Sequence, residues 1–314
     1  MKVFVTGATG AIGTQLVPEL VDAGHTVVGT TTTEAKTARL REAGAEPLVL
    51  DVLDAAAVRE AVDRVRPEVI IHEATALAGN LDLRKLDQSF ALTNRLRTEG
   101  TDNILAAAAA AGVRRVIAQS IAGVLCARTG GPVKTEEDPI DPAPVPGSER
   151  TAAAIQYLED AVTSAPGVEG IVLRYGGFYG PGTSLEPGGE QWEMVRKRRF
   201  PVIGDGGGIW SLIHIADAAR ATVAAVDHGA PGIYNIVDDE PARTAEWLPF
   251  LARTVGAKPP MRVPRWMGSL LAGKFGTALS TEARGASNTK AKQELDWKPQ
   301  HASWRDGFVE MARG

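Results

Sequence analysis

A glycine-rich turn near the start of the chain constrains its fold more than any other feature. Residues 2–6 form a short apolar run, which is typical of a buried parallel strand. Gly7, Gly10 and Gly13 follow at three-residue intervals. Residues 15–23 are amphipathic and are followed by a glycine, which indicates a helix. In such a strand–turn–helix unit, the glycines allow a tight turn, the approach of a pyrophosphate and close helix–strand packing. Because a helix N-terminus also attracts phosphate, the turn predicts a dinucleotide site.

Strands and helices alternate through the first half of the chain. Further strands are predicted at 27–30, 47–50, 68–72, 115–119 and 170–174, and helices at 34–43, 55–65, 83–111 and 151–164. This alternation predicts an α/β fold with a doubly wound parallel sheet of the Rossmann type. We expect residues 1–180 to form the dinucleotide-binding domain.

The second half of the chain has a less regular pattern. It contains a predicted helix at 191–198, strands at 211–215 and 234–237, and helices from residue 245 onward. We expect residues 181–314 to form mainly a smaller substrate-binding lobe, with returning segments that complete the sheet. The Pro- and Gly-rich segment 127–149 is predicted to be a long functional loop beside the active site.

Composition excludes several classes of protein. Hydrophobic residues make up 44% and charged residues 23% of the 314 residues, which is ordinary for a globular protein. The formal net charge of −4 argues against a nucleic-acid partner. Cys126 is the single cysteine, so neither an internal disulfide nor a cysteine-based metal cluster is expected, and we predict no metal site. No apolar run reaches membrane-spanning length, and a strand occupies the place of a signal peptide, so a cytoplasmic protein is expected.

Several segments, in order, resemble the extended short-chain dehydrogenase/reductase family, also called NAD-dependent epimerase/dehydratases. They are TGATGAIG, VLDVLD, IIHEATA, EGTDNILAAAAAAGVRRVIAQS, VLRYGGFYGPG, SLIHIADAARA, GIYNIVDDEP and SNTKAKQELDWKP. The resemblance covers nearly the whole chain and is specific for fold. It is less specific for the reaction, because the family includes epimerases, dehydratases and reductases.

The resemblance implies a set of cofactor-binding residues. These residues come from four places: the phosphate loop, the adenine contact after the third strand, the end of the fourth strand and the segment that closes over the nicotinamide. They are Gly7, Thr9, Gly10, Ala11, Ile12, Gly13, Asp51, Val52, Ala74, Thr75, Ala76, Tyr175, Gly177 and Phe178. The family also often pairs through two helices, here 83–111 and 151–164, which implies a homodimer.

The end of the second strand indicates which dinucleotide is bound. An acid at this position would bind the ribose 2′-hydroxyl of NAD and repel the 2′-phosphate of NADP. Here the strand ends in threonines, and Thr31, Thr32 and Lys36 could receive a 2′-phosphate. NADP is therefore favoured over NAD.

The resemblance fails at the catalytic pair. In the family, a Tyr and a Lys four residues apart perform the proton chemistry, and a Ser polarises the substrate oxygen. Counting back from Glu159 places Thr151 at the Tyr position and Ile155 at the Lys position. Ser120 matches the active-site serine, and Tyr157 is the nearest tyrosine. Ser120, Tyr157 and Thr151 are therefore the candidate catalytic residues.

Several functions remain open. The first is an atypical NAD(P)-dependent oxidoreductase or isomerase with reassigned acid–base groups, drawn from Ser120, Tyr157, Tyr179 or segment 127–149. An apolar stretch at 259–280 favours a small carbonyl, enone or imine substrate. The alternatives are a non-catalytic NADP(H)-binding redox sensor or regulatory protein, a non-redox enzyme with a structural cofactor, and a sugar-nucleotide epimerase or dehydratase.

Overall fold

A seven-stranded, fully parallel sheet organises the chain. The computed structural model describes residues 1–77 and 82–313. The strands are β1 Lys2–Thr6, β2 Thr26–Thr31, β3 Glu46–Val49, β4 Val69–His72, β5 Arg115–Ile121, β6 Val133–Lys134, β7 Glu169–Tyr175, β8 Gly177–Tyr179, β9 Val202–Ile203, β10 Ile209–Trp210, β11 Leu212–His214, β12 Gly232–Ile236, β13 Ala242–Arg243, β14 Arg262–Val263 and β15 Gly285–Ala286.

Helices connect these strands on both faces of the sheet. They are α1 Ala11–Asp22, α2 Thr37–Glu42, α3 Ala55–Val65, α4 Leu86–Ser89, α5 Ala91–Arg95, α6 Thr101–Ala111, α7 Glu149–Thr163, α8 Glu190–Arg196, α9 Ile215–Asp227, α10 Thr244–Thr254, α11 Arg265–Thr281, α12 Thr289–Glu294 and α13 Trp304–Arg313. Short 3₁₀ turns lie at Glu34–Lys36 and Leu83–Lys85, and a π-helical turn lies at Leu96–Gly100.

The strand order creates a crevice beside β1. The order is β12-β7-β5-β4-β1-β2-β3, so the chain winds away from β1 in one direction through β2 and β3 and in the other through β4 and β5. Thr6 lies in register with His72, which places the residues after β1 and β4 side by side. In doubly wound sheets, ligands bind at this switch point, outside the carboxyl ends of the strands. The predicted fold class is confirmed.

Alternating side chains of the sheet fill two cores. Val3 and Val5 pack with helices α1 and α9 on one face. Phe4 and Ile70 point to the other face, where they pack with α3 and α6. Because strands buried on both faces are apolar throughout, β1 and β4 carry few polar side chains before they reach the crevice.

The lobe has its own aromatic core. Tyr179, Trp247, Trp304 and Phe308 are fully buried there. The chain also returns to the main sheet, because β12 pairs with β7. The division at residue 180 stays a prediction.

Three predicted elements differ from the structure. The helical region 83–111 is divided into short segments. Segment 127–149 is predicted to be a long loop, but β6 pairs with β15 and Arg128 binds Asp141 at 2.8 Å. The fifth strand continues to Ile121, two residues beyond its predicted end.

Within the two described ranges, no helix is both long and apolar enough to cross a membrane.

Gly170 of β7 tests how closely α7 must approach the sheet. A Cβ at this position would overlap the carbonyl group of Val162 in α7. Gly170→Ala should therefore lower the free energy of unfolding by about 1–3 kcal/mol or more, measured by urea denaturation. At Gly131 the nearest atom to such a Cβ is 3.8 Å away, so Gly131→Ala is the matched control and should change stability little. Equal stabilities of the two variants would contradict this packing.

Candidate cofactor and active site

The glycine-rich turn passes against the end of β4. Gly7 has a φ of 70°, and a Cβ there would lie 2.6 Å from the Glu73 carbonyl carbon. A Cβ at Gly13 would lie 2.5 Å from the Gly7 oxygen. The Gly10 N–H closes the turn by donating to the Gly7 oxygen at 2.9 Å. Gly7 and Gly13 are thus required by close packing and, for Gly7, by the left-handed backbone.

The N-terminus of α1 has the geometry of a phosphate site. Gly10 is its N-cap, and no side chain caps the helix by a hydrogen bond. A Cβ at Gly10 would meet only the Gly7 oxygen, at 3.2 Å, because the space in front of it belongs to a cavity. Free N–H groups at a helix end with no side chain in front of them fit a pyrophosphate.

A cavity of about 730 Å³ extends across the carboxyl ends of the strands into the lobe. Most of the predicted cofactor residues line it, namely Gly7, Thr9, Gly10, Ala11, Ile12, Thr31, Thr32, Lys36, Asp51, Val52, Ala74, Thr75, Gly177 and Phe178. The structure therefore brings together residues from the ends of β1, β2, β3, β4 and β7.

Gly13, Ala76 and Tyr175 lie outside this lining. Gly13 is packed within the turn, and the Ala76 N–H donates to the Thr93 hydroxyl at 3.1 Å. Tyr175 is buried, and its hydroxyl donates to Glu73 Oε1 at 2.8 Å. These residues support the cavity from behind.

One end of the cavity carries the predicted specificity residues. Thr31 is buried, and its Oγ1 accepts weak hydrogen bonds at 3.4 Å from the Thr9 hydroxyl and the Thr33 N–H. Thr32 and Lys36 are exposed at the same end. On the next strand, Asp51 Oδ1 accepts from the Leu53 N–H at 2.9 Å. This end therefore presents hydroxyls, an ammonium group and, across from them, the Asp51 carboxylate.

Ser120 points away from the cavity. Its hydroxyl donates to Glu159 Oε1 at 2.7 Å, and Glu159 forms a two-point ion pair with Arg174 at 2.7 and 2.6 Å. All three side chains are buried. Because successive strand residues face opposite sides of the sheet, Gln119 lines the cavity instead. Ser120 thus takes part in a buried network between α7 and the sheet.

The residues at the predicted Tyr and Lys positions, Thr151 and Ile155, are buried, and their side chains cannot act as acid–base groups. The Thr151 hydroxyl donates to Asp87 at 2.7 Å and accepts from the Asn94 amide at 3.2 Å. Ile155 packs in an apolar cluster with Phe90 and Leu125. Neither position lines the cavity in the described part of the chain.

The remaining candidate proton donors also lie elsewhere. Tyr157 is 43% exposed, and its hydroxyl donates to the Asp102 carboxylate, which raises the tyrosine pKa. Tyr179 is fully buried against His214 and Phe308, and burial raises its pKa. Among the described residues that line the cavity, none belongs to segment 127–149.

Several residues that line the cavity were not among the predicted site residues. They are Thr30, Leu50, Glu73, Leu77, Leu96, Gln119, Gly182, Thr183, Ser184, Leu185, Glu190, Gln191, Trp210 and Leu212. Glu73 offered a signal, since an acid directly after an apolar strand is unusual. Burial raises its pKa to about 8, although the hydrogen bond from Tyr175 opposes this shift.

A cluster of His214, Asp217 and His301 has metal-ligand spacing, with ligand atoms within 4.8 Å of one another. The Asp217 carboxylate, however, accepts hydrogen bonds from Gln300, His301 and Arg220 at 2.6–2.9 Å. The lone pairs of the Asp217 carboxylate are therefore occupied by hydrogen bonds, and those from Gln300 and His301 join α9 to the C-terminal segment. The cluster is a structural junction of the lobe.

Comparison with known proteins identifies the family. The model of the family described as "NAD dependent epimerase/dehydratase family" matches residues 3–237. The chain belongs to this family. The predicted resemblance is thereby confirmed. The chain is 44% identical to a 3-diazoavenalumate denitrifying reductase from Streptomyces, over 98% of this chain and 99% of that protein. It is 26% identical to a UDP-glucose 4-epimerase from Mycolicibacterium smegmatis, over 96% and 95% of the respective chains.

Solved structures of epimerase/dehydratases have the same architecture. The UDP-glucose 4-epimerase of Thermotoga maritima superposes with a TM-score of 0.77 at 22% identity, covering 100% of this chain and 98% of that one. That of Thermus thermophilus, solved with NAD, gives 0.74 at 25% identity, covering 100% and 99%. These structures confirm the predicted fold, and the family match together with the reductase relative confirms the prediction of an NAD(P)-dependent enzyme.

Gly10 tests whether the turn binds a pyrophosphate. In Gly10→Asp, a carboxylate would face the cofactor phosphates, and like-charge contact should weaken dinucleotide binding by about 3 kcal/mol, or about 100-fold. Gly10→Asn adds nearly the same volume without the charge and should retain more affinity. Calorimetric titration of NADP⁺ into each folded variant measures the affinity for the dinucleotide. Wild-type affinity in Gly10→Asp would refute the assignment of the turn.

Proposed function

We propose that this protein is an NAD(P)H-dependent reductase that delivers hydride to a small, largely apolar electrophile without a Tyr–Lys acid–base pair. One observation carries the proposal. Most of the residues predicted to bind the cofactor line one cavity, whereas the positions predicted for the Tyr–Lys pair hold Thr151, whose hydroxyl is bound to Asp87, and the buried Ile155.

This combination limits the acceptor. The bound nicotinamide cofactor supplies a hydride. A ketone also needs a proton on its oxygen, which the family's tyrosine provides. An acceptor that already carries positive charge needs the hydride alone. An aryl diazonium ion is one such acceptor, because addition of hydride and loss of dinitrogen leave a neutral arene.

The substrate named for the Streptomyces relative supports this class. That relative is a denitrifying reductase of a diazo compound. We propose an aryl diazo compound, in its electrophilic diazonium form, as the substrate class here. An iminium acceptor, which also carries a positive charge, is the next choice.

The lobe side of the cavity fits an aromatic acceptor. Phe178 and Trp210 supply apolar surface, and the buried Leu185 and Leu212 lie behind it. Thr183, Ser184 and Gln191 supply a few polar groups. Pockets for small molecules commonly combine a mainly apolar wall with a few polar groups that fix orientation.

The reaction is tested by mixing the protein and NADPH with a panel of aryl diazonium salts, iminium ions, enones, ketones and UDP-glucose. Loss of the reduced-nicotinamide absorbance with a diazonium salt, and dinitrogen release in equal amount, is the expected result. Enzyme-free mixtures measure direct reduction by NADPH. Turnover of UDP-glucose would favour an epimerase. Tight binding of NADPH with no turnover of any compound would contradict the reductase and favour a sensor or a structural cofactor.

Lys36 is expected to set the preference for NADPH. Loss of a charge-assisted contact with the 2′-phosphate should weaken NADPH binding by about 1.5–3 kcal/mol, or roughly 10- to 150-fold, in Lys36→Glu. Binding of NADH should change much less, because NADH lacks that phosphate. Lys36→Gln separates loss of the ammonium from added repulsion. If Lys36→Glu reduced the affinity for both cofactors equally, this position would not select the phosphate.

A further inference from the structure

Glu73 is a buried carboxyl group at the cofactor cavity. It directly follows β4 and contributes to the lining. Its Oε1 accepts from the Tyr175 hydroxyl at 2.8 Å, while its Oε2 is buried without a hydrogen-bond partner. Buried polar atoms nearly always have partners, so an unsatisfied carboxyl oxygen at this place calls for a functional explanation.

Strand order places Glu73 at the nicotinamide end of the cavity. The residues suited to the adenine ribose, Thr31 and Lys36, belong to β2 and the turn after it, on one side of β1. Glu73 directly follows β4, and Gln119 lies near the end of β5, on the other side. A dinucleotide whose pyrophosphate lies at the glycine-rich turn therefore extends its nicotinamide half toward Glu73.

The surroundings of Glu73 favour its neutral form. Burial raises its pKa to about 8. The groups around it are the Tyr175 hydroxyl of β7, the Thr222 hydroxyl of α9, which lies 2.7 Å from Tyr175, and the Gln119 amide of β5, which donates to the Glu73 backbone oxygen at 2.7 Å. His72, the preceding residue, is bound to Thr6 and the Leu96 carbonyl, and burial lowers its pKa to about 4. None of these groups is a cation at neutral pH.

We propose that Glu73 exchanges a proton in step with the charge of the cofactor: it stays protonated beside the uncharged, reduced nicotinamide and releases its proton when the positively charged, oxidised nicotinamide occupies the cavity. The carboxyl O–H bond breaks, its electron pair remains on Glu73, and the proton passes to solvent. This inference rests on the cofactor cavity of the proposed function.

The physical cause is charge compensation. A neighbouring opposite charge lowers a carboxyl pKa by about 1–3 units. With a free pKa of about 8, Glu73 is about nine-tenths protonated at pH 7 and would be mostly ionised beside the cation. The resulting carboxylate stabilises the oxidised cofactor, so it favours the loss of hydride from the reduced form.

Proton counting on cofactor binding tests the proposal without any substrate. Calorimetric titrations at pH 7, in two buffers with different ionisation enthalpies, give the number of protons released on binding NADP⁺ and NADPH. Both cofactors carry the same phosphates, so the difference isolates the nicotinamide charge. For the wild type we expect NADP⁺ to release about 0.4–0.9 proton more than NADPH. Glu73→Gln, which keeps the side-chain shape, should abolish the difference.

Asp63→Asn is the control, because it removes an exposed carboxylate that does not line the cavity and should leave the proton difference at the wild-type value. In the wild type, affinity for NADP⁺ should rise with pH by up to about tenfold per unit and level off above pH 8, because binding releases the proton of a group with a free pKa of about 8. The affinity for NADPH should show no such rise with pH, because NADPH binding keeps Glu73 protonated. The difference between the two pH profiles is therefore the effect of Glu73.

The possible outcomes distinguish failure of the Glu73 proposal from failure of the proposed reductase function. Equal proton counts for NADP⁺ and NADPH, or an unchanged difference in Glu73→Gln, would overturn the role of Glu73. If Glu73→Gln fails to fold, infrared difference spectra of the wild type decide, since a protonated-carboxyl band must disappear on NADP⁺ binding. A wild-type proton difference without turnover of any substrate would support Glu73 and refute the reductase. Absence of binding by either cofactor would overturn both.

Discussion

The close approach of the glycine-rich turn to the end of β4 determines how the rest of the site is built. Because Gly7 has no side chain, its backbone lies against the carbonyl of Glu73. This contact aligns the N-terminus of α1 with the crevice beside β1, where the strand order changes direction. The same contact holds Glu73 at the cavity edge. The predicted phosphate site and the proposed proton exchange thus depend on one stretch of packed backbone.

The residues at the positions predicted for acid–base chemistry make structural contacts in this chain. Glu159, Arg174 and Ser120 form a buried network that links α7 to β5 and β7. Thr151 and its partner Asp87 attach the start of α7 to α4. Buried ionic networks of this kind hold elements in register, and they need every partner. These contacts fix α7 against the sheet, and neither Thr151 nor Ile155 presents a titratable group to the cavity.

The sequence predicted the fold and much of the cavity because both depend on local patterns. A strand followed by Gly7, Gly10 and Gly13 specifies its own turn, and the motif order specifies the sheet. Ser120 shows where this reasoning stops. The strand predicted to end at Gln119 continues to Ile121, so the alternation of side chains turns Ser120 toward Glu159. Glu73 was missed because its burial depends on Tyr175, 102 residues away.

Transfer of deuterium from the cofactor would test the central claim most directly. NADPH labelled at either face of the transferable nicotinamide carbon is incubated with the protein and an aryl diazonium salt in ordinary water. We predict that one of the two labelled cofactors gives an arene with deuterium at the carbon that carried nitrogen, with dinitrogen released in equal amount. Enzyme-dependent denitrification in which neither label reaches the arene, or no enzyme-dependent reaction with any electrophile, would contradict hydride transfer by this protein.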